Sequence, residues 1–372
     1  MHGLIQEREP VEIRSRPLRY FMIGRDPVLD PTSESRVLRG AESPSPYRDY
    51  TETTLSEILD IDLRSGRLIV DPTYRCNFKC RFCNLPVDDS EELDWDGMRI
   101  PLKALALSGL RRAVVSGGEP GVYRRTPVIL SDLRKMKIST TVLTNGIWAH
   151  DAHRLAAIVE SGVHGFLVSL KAFDEAGYER TTGRKVKERT WMAALANIAR
   201  ERAQGRIDGF GVNIVINTIN IDKLQNTGWI EELPAMPEIT ISLVEPYTDE
   251  MIGLVPAPGR LRNALDCLLE KYEKLGIDYS VEGMPLCLLG ERRHRSIDLG
   301  RLKDRCPRVF IRPSHGMDHM LVHAGYQRLL QFFRLPVCDS CACRQECPGP
   351  HKRTHGLYGK TDLVPFADEG HA

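Results

Sequence analysis

The stretch "TYRCNFKCRFCNLP" (73–86) places Cys76, Cys80 and Cys83 within eight residues, with Phe82 directly before the third thiol. A disulfide would pair two of these sulfurs and strand the third. A tetrahedral zinc site needs a fourth ligand, and none follows nearby. Thiolates are soft ligands that also suit iron–sulfur clusters and copper. A cubane holds four irons, so three cysteines leave one iron open for a small molecule to complete the site. The competing reading is a structural zinc ion that borrows a ligand from a distant part of the chain.

The rest of the composition narrows the class. The chain has 372 residues, 42% hydrophobic and 27% charged, which suits one large soluble domain with an appendage. A formal net charge of +1 does not point to nucleic acid or a membrane surface as a partner. The short basic run "ERRHR" (291–295) reads as a solvated face. No apolar stretch approaches the ~18–20 residues of a membrane span, and "MHGLIQEREPVEIRSRP" at the N-terminus lacks the apolar core of a signal peptide. A cytoplasmic location is therefore expected, where thiols stay reduced. Ten cysteines in that setting point to metal rather than disulfides. They fall in two groups, three at 76–83 and six between 287 and 347, with Cys267 apart.

Residues 1–66, rich in proline, arginine and serine, read as an irregular extension with at most a short helix near "TLSEILDI" (54–61). From residue 67, short β-branched runs alternate with amphipathic ones. Strands are predicted at 67–71, 111–117, 139–146, 165–170, 209–217 and 239–246, and helices at 101–109, 126–136, 151–161, 188–204 and 221–233. Six β/α units with right-handed crossovers predict an α/β fold, a partial (β/α)6 barrel over 67–250. A helix at 259–276 and a strand-like "IDYSVEG" open the remaining segment, 251–372, predicted as an irregular cysteine-rich domain. In such barrels the chemistry sits where strands end. Here the cysteine loop, "SGGEP" (116–120), "TNG" (144–146) and "SLK" (169–171) each follow or end a strand.

Cys-x3-Cys-x2-Cys with an aromatic before the third cysteine, on the loop after the first strand of a partial barrel, resembles the radical S-adenosylmethionine (SAM) superfamily. The second motif, Gly117-Gly118-Glu119, resembles the segment with which that family meets the amino group of SAM. Glycines permit close backbone approach, and a carboxylate accepts from an ammonium. The resemblance covers about residues 67–246. It implies that Cys76, Cys80 and Cys83 hold a [4Fe-4S] cluster whose open iron is chelated by SAM. One-electron cleavage then gives methionine and a 5′-deoxyadenosyl radical, which abstracts a hydrogen atom from substrate. It further implies that Phe82 packs near the adenine, that Ser169 and Lys171 reach the methionyl carboxylate, and that Asn217 meets the ribose or adenine. Two of these have plainer alternatives: a core phenylalanine for Phe82 and a turn-former for Asn217. Arg184 reads as a solvated loop residue, Asn145 as a turn residue and Cys267 as a buried helix residue.

The second group, Cys287, Cys306, Cys338, Cys341, Cys343 and Cys347, is similar to part of the SPASM appendage of that superfamily. The full pattern requires further cysteines where this chain has His351 and, beyond 347, none. One auxiliary [4Fe-4S] cluster is what the count supports, as in the shorter "twitch" variant. Two ligand sets remain open: Cys287, Cys338, Cys341 and Cys347, or Cys287, Cys306, Cys338 and Cys341. Cys343 is left out of both, a spare thiol or a hydrogen-atom donor. Zinc is the structural alternative.

The subgroup's substrates are ribosomal peptides or small polar molecules. An irregular N-terminus lacks the peptide-binding module many peptide-modifying members carry, so a sugar, aminocyclitol or nucleoside is the expected substrate, in an oxidation or rearrangement. A peptide maturase, or an activating enzyme acting on a protein, is the alternative. The reductant implied is a flavodoxin or ferredoxin. A basic nucleic-acid face is not expected. A plain electron carrier would account for the cysteines but not for Gly117-Gly118-Glu119 after a strand.

Overall fold

The computed structural model describes residues 18–23, 26–29, 51–53, 63–85, 92–301, 307–311, 313, 319–323, 332–358 and 362–367. Near the N-terminus, β1 (Leu18–Ile23), β2 (Asp26–Leu29) and β3 (Thr51–Thr53) form an antiparallel sheet in the order β2-β1-β3. The expectation of an irregular segment over 1–66 is corrected here. "LRYFMI" carries the aromatic and aliphatic residues that strands favour, and the surrounding prolines and serines masked so short a run. The helix expected at 54–61 lies outside the described residues.

The main sheet contains β4 (Arg67–Val70), β5 (Arg112–Val115), β6 (Ser139–Thr144), β7 (Gly165–Leu170), β8 (Gly209–Ile216) and β9 (Glu238–Leu243). All six match the predicted strands. β10 (Tyr279–Glu282), β11 (Pro307–Ile311) and β12 (His319–His323) complete it. The order is β10-β9-β8-β7-β6-β5-β4-β11-β12, parallel throughout except for the antiparallel pair β11–β12. From β4 to β9 each crossover advances one position, giving an open, partial α/β barrel. β10 and β11, both from beyond residue 250, extend the sheet at its two ends.

Helices cover the sheet because their apolar stripes recur at helical spacing. Ile129, Leu130 and Leu133 of Thr126–Lys135 are buried, as are Leu155, Ile158 and Val159 of Ala152–Glu160 and Trp191, Leu195 and Ile198 of Glu188–Ala203. They meet Leu68, Val70, Val115, Val142, Phe166 and Val212 from the strands in one core. The helix predicted at 101–109 starts earlier, as Trp95–Leu107, because the Asp94 carboxylate caps the Gly97 N–H at 3.2 Å. The helix predicted over 221–233 breaks into a 3-10 turn, Ile221–Lys223, and Gly228–Glu231. The longest helix that was not predicted borders the cysteine loop. Glu175–Thr182 has a capping Asp174 and a left-handed Gly183 at its end (φ 72°), but eight residues with few apolar positions give little periodicity to read.

Gly165 of β7 and Gly209 of β8 are register partners. A Cβ on Gly165 would lie 2.5 Å from the Gly209 carbonyl oxygen. Gly165→Ala is therefore expected to cost about 1–3 kcal/mol of stability through overpacking against backbone. Equilibrium chemical denaturation checks this; an unchanged midpoint would contradict it.

Candidate active site

The cysteine loop leaves β4 and folds back over the C-terminal end of the barrel. Its seat is built from backbone. Ser116 N–H donates to Val70 O (2.8 Å), Gly118 N–H to Thr73 O (2.8 Å) and Glu119 N–H to Arg75 O (2.8 Å). A Cβ on Gly118 would stand 2.1 Å from Arg75 O, and Gly117 has φ +99° with Thr73 O 2.6 Å from its would-be Cβ. The two glycines are thus required by the cysteine loop itself, which occupies the space side chains would need. On its far side the loop is tied to the unpredicted helix: Lys79 N–H donates to Thr182 O and Arg81 N–H to Thr181 O, both at 2.9 Å. The buried ring of Phe78 packs against Tyr178 at 6.2 Å.

Cys76, Cys80 and Cys83 are free thiols on the wall of one cavity of about 230 Å³. Phe82, Gly117, Gly118, Glu119, Ser169 and Lys171 share that wall, so nearly all the residues singled out from sequence come together. Lys171 Nζ donates to Ser169 Oγ (2.7 Å) and stands 5.3 Å from the Phe82 ring centroid. Burial pushes the Cys76 thiol up to about 12 and raises Cys80, whose rise Lys171 opposes. Among the described residues, no three His, Cys, Asp or Glu side chains gather tightly enough to hold a single metal ion. A polynuclear cluster asks instead for thiolates attached to separate irons around a void, and three cysteines around this cavity suit that donor set.

Glu119 is fully buried and held by four donors. Oε1 accepts from Thr144 Oγ1 (2.5 Å), Gly121 N–H (2.9 Å) and Trp148 Nε1 (2.9 Å), and Oε2 accepts from Asn145 N–H (2.7 Å). Burial nevertheless raises its pKa, against the pull of those donors, so a cation brought alongside would be favoured.

Asn217 does not join the cavity wall. Its Oδ1 accepts from Ile219 N–H (2.9 Å) and its Nδ2 donates to Val215 O (3.0 Å), so it forms the turn after β8, the plainer of its two readings. Arg184 is exposed, outside the cavity. Asn145 and Asn213 are among the wall residues not singled out from sequence. Asn145, read as a turn residue, donates through Nδ2 to Asn77 Oδ1 of the cysteine loop (2.7 Å). Asn213, a polar residue within the apolar β8, accepts from Ser242 Oγ (2.9 Å). Its position inside an otherwise aliphatic strand was the available signal.

In the C-terminal segment a narrow cavity is lined by Cys287, Cys338, Cys341, Cys343 and Cys347. Cys347 Sγ accepts from the backbone N–H of Leu286 and of Gly349, both at 3.4 Å. Burial, reinforced by Cys347 and Cys338, pushes Cys287 up to about 12. Cys306 lies outside the described residues. His351 is buried against Phe332 and Tyr247, with Arg353 N–H donating to Nδ1 (3.3 Å). Cys267 is exposed, not buried as expected: the inward stripe of its helix runs through Leu261, Leu265, Leu268 and Tyr272, and residue 267 falls on the opposite side.

Residues 70–227 match the model of the Radical SAM superfamily. This part of the chain is a radical SAM domain, the class that the fold and the paired motifs define, and the class implies a [4Fe-4S] cluster and SAM. Among curated proteins, the chain is 26% identical over 163 residues to a PqqA peptide cyclase of Xanthomonas oryzae pv. oryzae, covering 42% of this chain and 41% of that protein. It is 27% identical over 160 residues to the PqqA peptide cyclase of Gluconobacter oxydans, covering 42% and 43%. The matched segment thus spans about two fifths of these relatives. Among solved structures, Streptococcus suis SuiB bound to S-adenosylmethionine superposes with a TM-score of 0.56 at 16% identity, covering 84% of this chain and 78% of that one. The structure described as anSMEcpe with bound AdoMet gives 0.52 at 14% identity, covering 81% and 93%. These likenesses support the fold.

Two outcomes are expected. Glu119→Gln would turn an amide NH2 toward groups that are themselves donors, costing about 1–3 kcal/mol in chemical denaturation; wild-type stability would contradict the network. In the metal-free chain at pH 8, iodoacetamide should label exposed Cys267 much faster than Cys76 or Cys287, whose thiols stay protonated until about pH 12. Equal labelling rates by peptide mass spectrometry would contradict that.

Proposed function

We propose that this protein is a radical SAM enzyme that modifies a peptide, with residues 67–250 holding the SAM site and residues 251–372 carrying one auxiliary [4Fe-4S] cluster of SPASM or twitch type. The observation that carries it is the single cavity shared by three unpaired thiols and the anchored Glu119. When bound there, the cluster and SAM supply one-electron cleavage of a sulfonium and hydrogen-atom abstraction from an unactivated carbon. Cys76, Cys80 and Cys83 would hold the cluster. Glu119, turned inward by its four donors, offers Oε2 to an ammonium. Lys171, steadied by Ser169, offers a cation to a carboxylate, and Phe82 offers a ring face.

For the auxiliary site, Cys287, Cys338, Cys341 and Cys347 line one cavity, which Cys343 also lines, and two N–H groups aimed at the Cys347 sulfur support its place as a ligand. Backbone donors to a ligating sulfur are a recognised means of tuning such centres. An irregular N-terminus without a peptide-binding module was the ground for preferring a small polar substrate, and β1–β3 show that the segment is not wholly irregular. The name shared by the curated relatives, peptide cyclase, supports a peptide instead.

With dithionite and SAM under anaerobic conditions, the reconstituted chain is expected to release 5′-deoxyadenosine. A low-molecular-weight extract of the source cells should stimulate that release, and prior digestion of the extract with a broad protease should abolish the stimulation. Stimulation that survives digestion would return the small polar substrate to first place; no release at all would remove the enzyme class.

A further inference from the structure

The segment 362–367 closes one side of the C-terminal thiol cavity, with Leu363, Pro365 and Phe366 on its wall. This segment is neither helix nor strand. It is tied down from three separate places. Ala342 N–H, between Cys341 and Cys343, donates to Phe366 O (3.0 Å). Arg262 Nη2, from the helix Pro258–Lys274, donates to Asp362 O (3.0 Å). Arg293, from the short turn Gly290–Arg295 that follows Cys287, holds its guanidinium 4.7 Å from the Phe366 ring centroid. The same arginine faces a thiol: burial and neighbouring Cys341 raise Cys343, and Arg293 opposes the rise. Leu363 is buried, whereas Val364 beside it is 56% exposed. The opposite wall is more firmly built. Leu286 is buried and its N–H donates to Cys347 Sγ, and Gly349 sits so close to Phe333 O that a Cβ would not fit.

We propose that residues 362–367 are a gate over the auxiliary site, latched by Arg293 on Phe366 and by Arg262 on Asp362. The gate opens to admit iron and sulfide and closes to keep water, oxygen and chelators from what the thiols hold. The proposal rests on the reading that these cysteines carry an auxiliary cluster. Arg262, Arg293 and Phe366 act as positioning residues, and none has to touch an iron. An apolar wall beside a metal site governs solvent access to it. A segment without regular hydrogen bonding, held by arginine contacts to one carbonyl and one ring, opens at lower cost than the fold around it. Of the two sides of this cavity, the segment is therefore the one that yields.

The test has two arms, both on the full chain. In the first, Phe366→Ala, Arg293→Gln and Phe366→Tyr are each made in the Cys76/Cys80/Cys83→Ala background, so that all iron counted belongs to the second site. Anaerobic loss of that iron to excess EDTA should be at least fivefold faster for Phe366→Ala and Arg293→Gln. Phe366→Tyr, which keeps the ring, should stay within twofold of the parent. In the second arm, the same substitutions in the metal-free chain should speed iodoacetamide labelling of Cys343 at pH 8 at least fivefold for the first two, with Cys76 and Cys267 unchanged. Removing the Arg293 charge alone would favour the protonated thiol and slow labelling, so a faster rate reports access. Parent rates of iron loss and labelling in both Phe366→Ala and Arg293→Gln would overturn the proposal. So would equal acceleration at Cys76, which would mean general loosening of the chain. If the parent takes up no iron, the auxiliary-cluster reading falls, while the labelling arm still decides whether the segment gates the thiols.

Discussion

Everything in the candidate active site depends on one backbone contact, the seating of the cysteine loop on Gly117-Gly118-Glu119. Three N–H groups from residues 116, 118 and 119 reach carbonyls of residues 70, 73 and 75 at 2.8 Å, and the space between has no room for a Cβ. Two motifs about forty residues apart in sequence are therefore one piece of structure. The parallel pairing of β4 with β5 brings them together, the glycines let them touch, and the same segment carries Glu119 into the cavity. A polar side chain so placed needs support, and Thr144, Asn145 and Trp148 from the end of β6 provide it. The chemistry of one strand end is thus held by its two neighbours.

The two thiol groups differ in how their positions are fixed. The first is held by secondary structure, with strands on one side and Glu175–Thr182 on the other. The second sits among short turns, where order comes from Cys347, which receives two N–H groups, and from the buried His351 between Phe332 and Tyr247. Segments with so few regular hydrogen bonds gain most from a bound metal, because ligand bonds replace the missing core. Burial drives Cys76 and Cys80 of the first group and Cys287, Cys338, Cys343 and Cys347 of the second toward protonation, so uptake of iron by either group must release protons.

Much of the barrel was legible because its strands are aliphatic runs and its larger helices carry long stripes; both signals are local and survive without neighbours. Cys76, Cys80, Cys83, Glu119, Ser169 and Lys171 were legible as site residues because spacing after predicted strand ends places them together. What could not be read depended on distant partners. Glu175–Thr182 is defined by its caps and by the cysteine loop it supports, not by periodicity. Asn145 looks like any turn asparagine until Asn77 is seen opposite, whereas Asn217, with the same appearance, proves to serve its own turn. β1–β3 were hidden by composition. The close fit at Gly118 has no sequence signal beyond the glycine itself.

The most direct measurement is iron and acid-labile sulfide content after anaerobic reconstitution, with electron paramagnetic resonance of the dithionite-reduced protein. It should compare wild type, the Cys76/Cys80/Cys83→Ala variant and the Cys287/Cys338/Cys341/Cys347→Ala variant. Two independent four-iron sites predict about eight irons in wild type and about four in each variant, with a SAM-sensitive signal lost only in the first variant. Zinc in place of the second set, or a wild type whose roughly four irons all vanish with Cys76, Cys80 and Cys83, would contradict the two-cluster account.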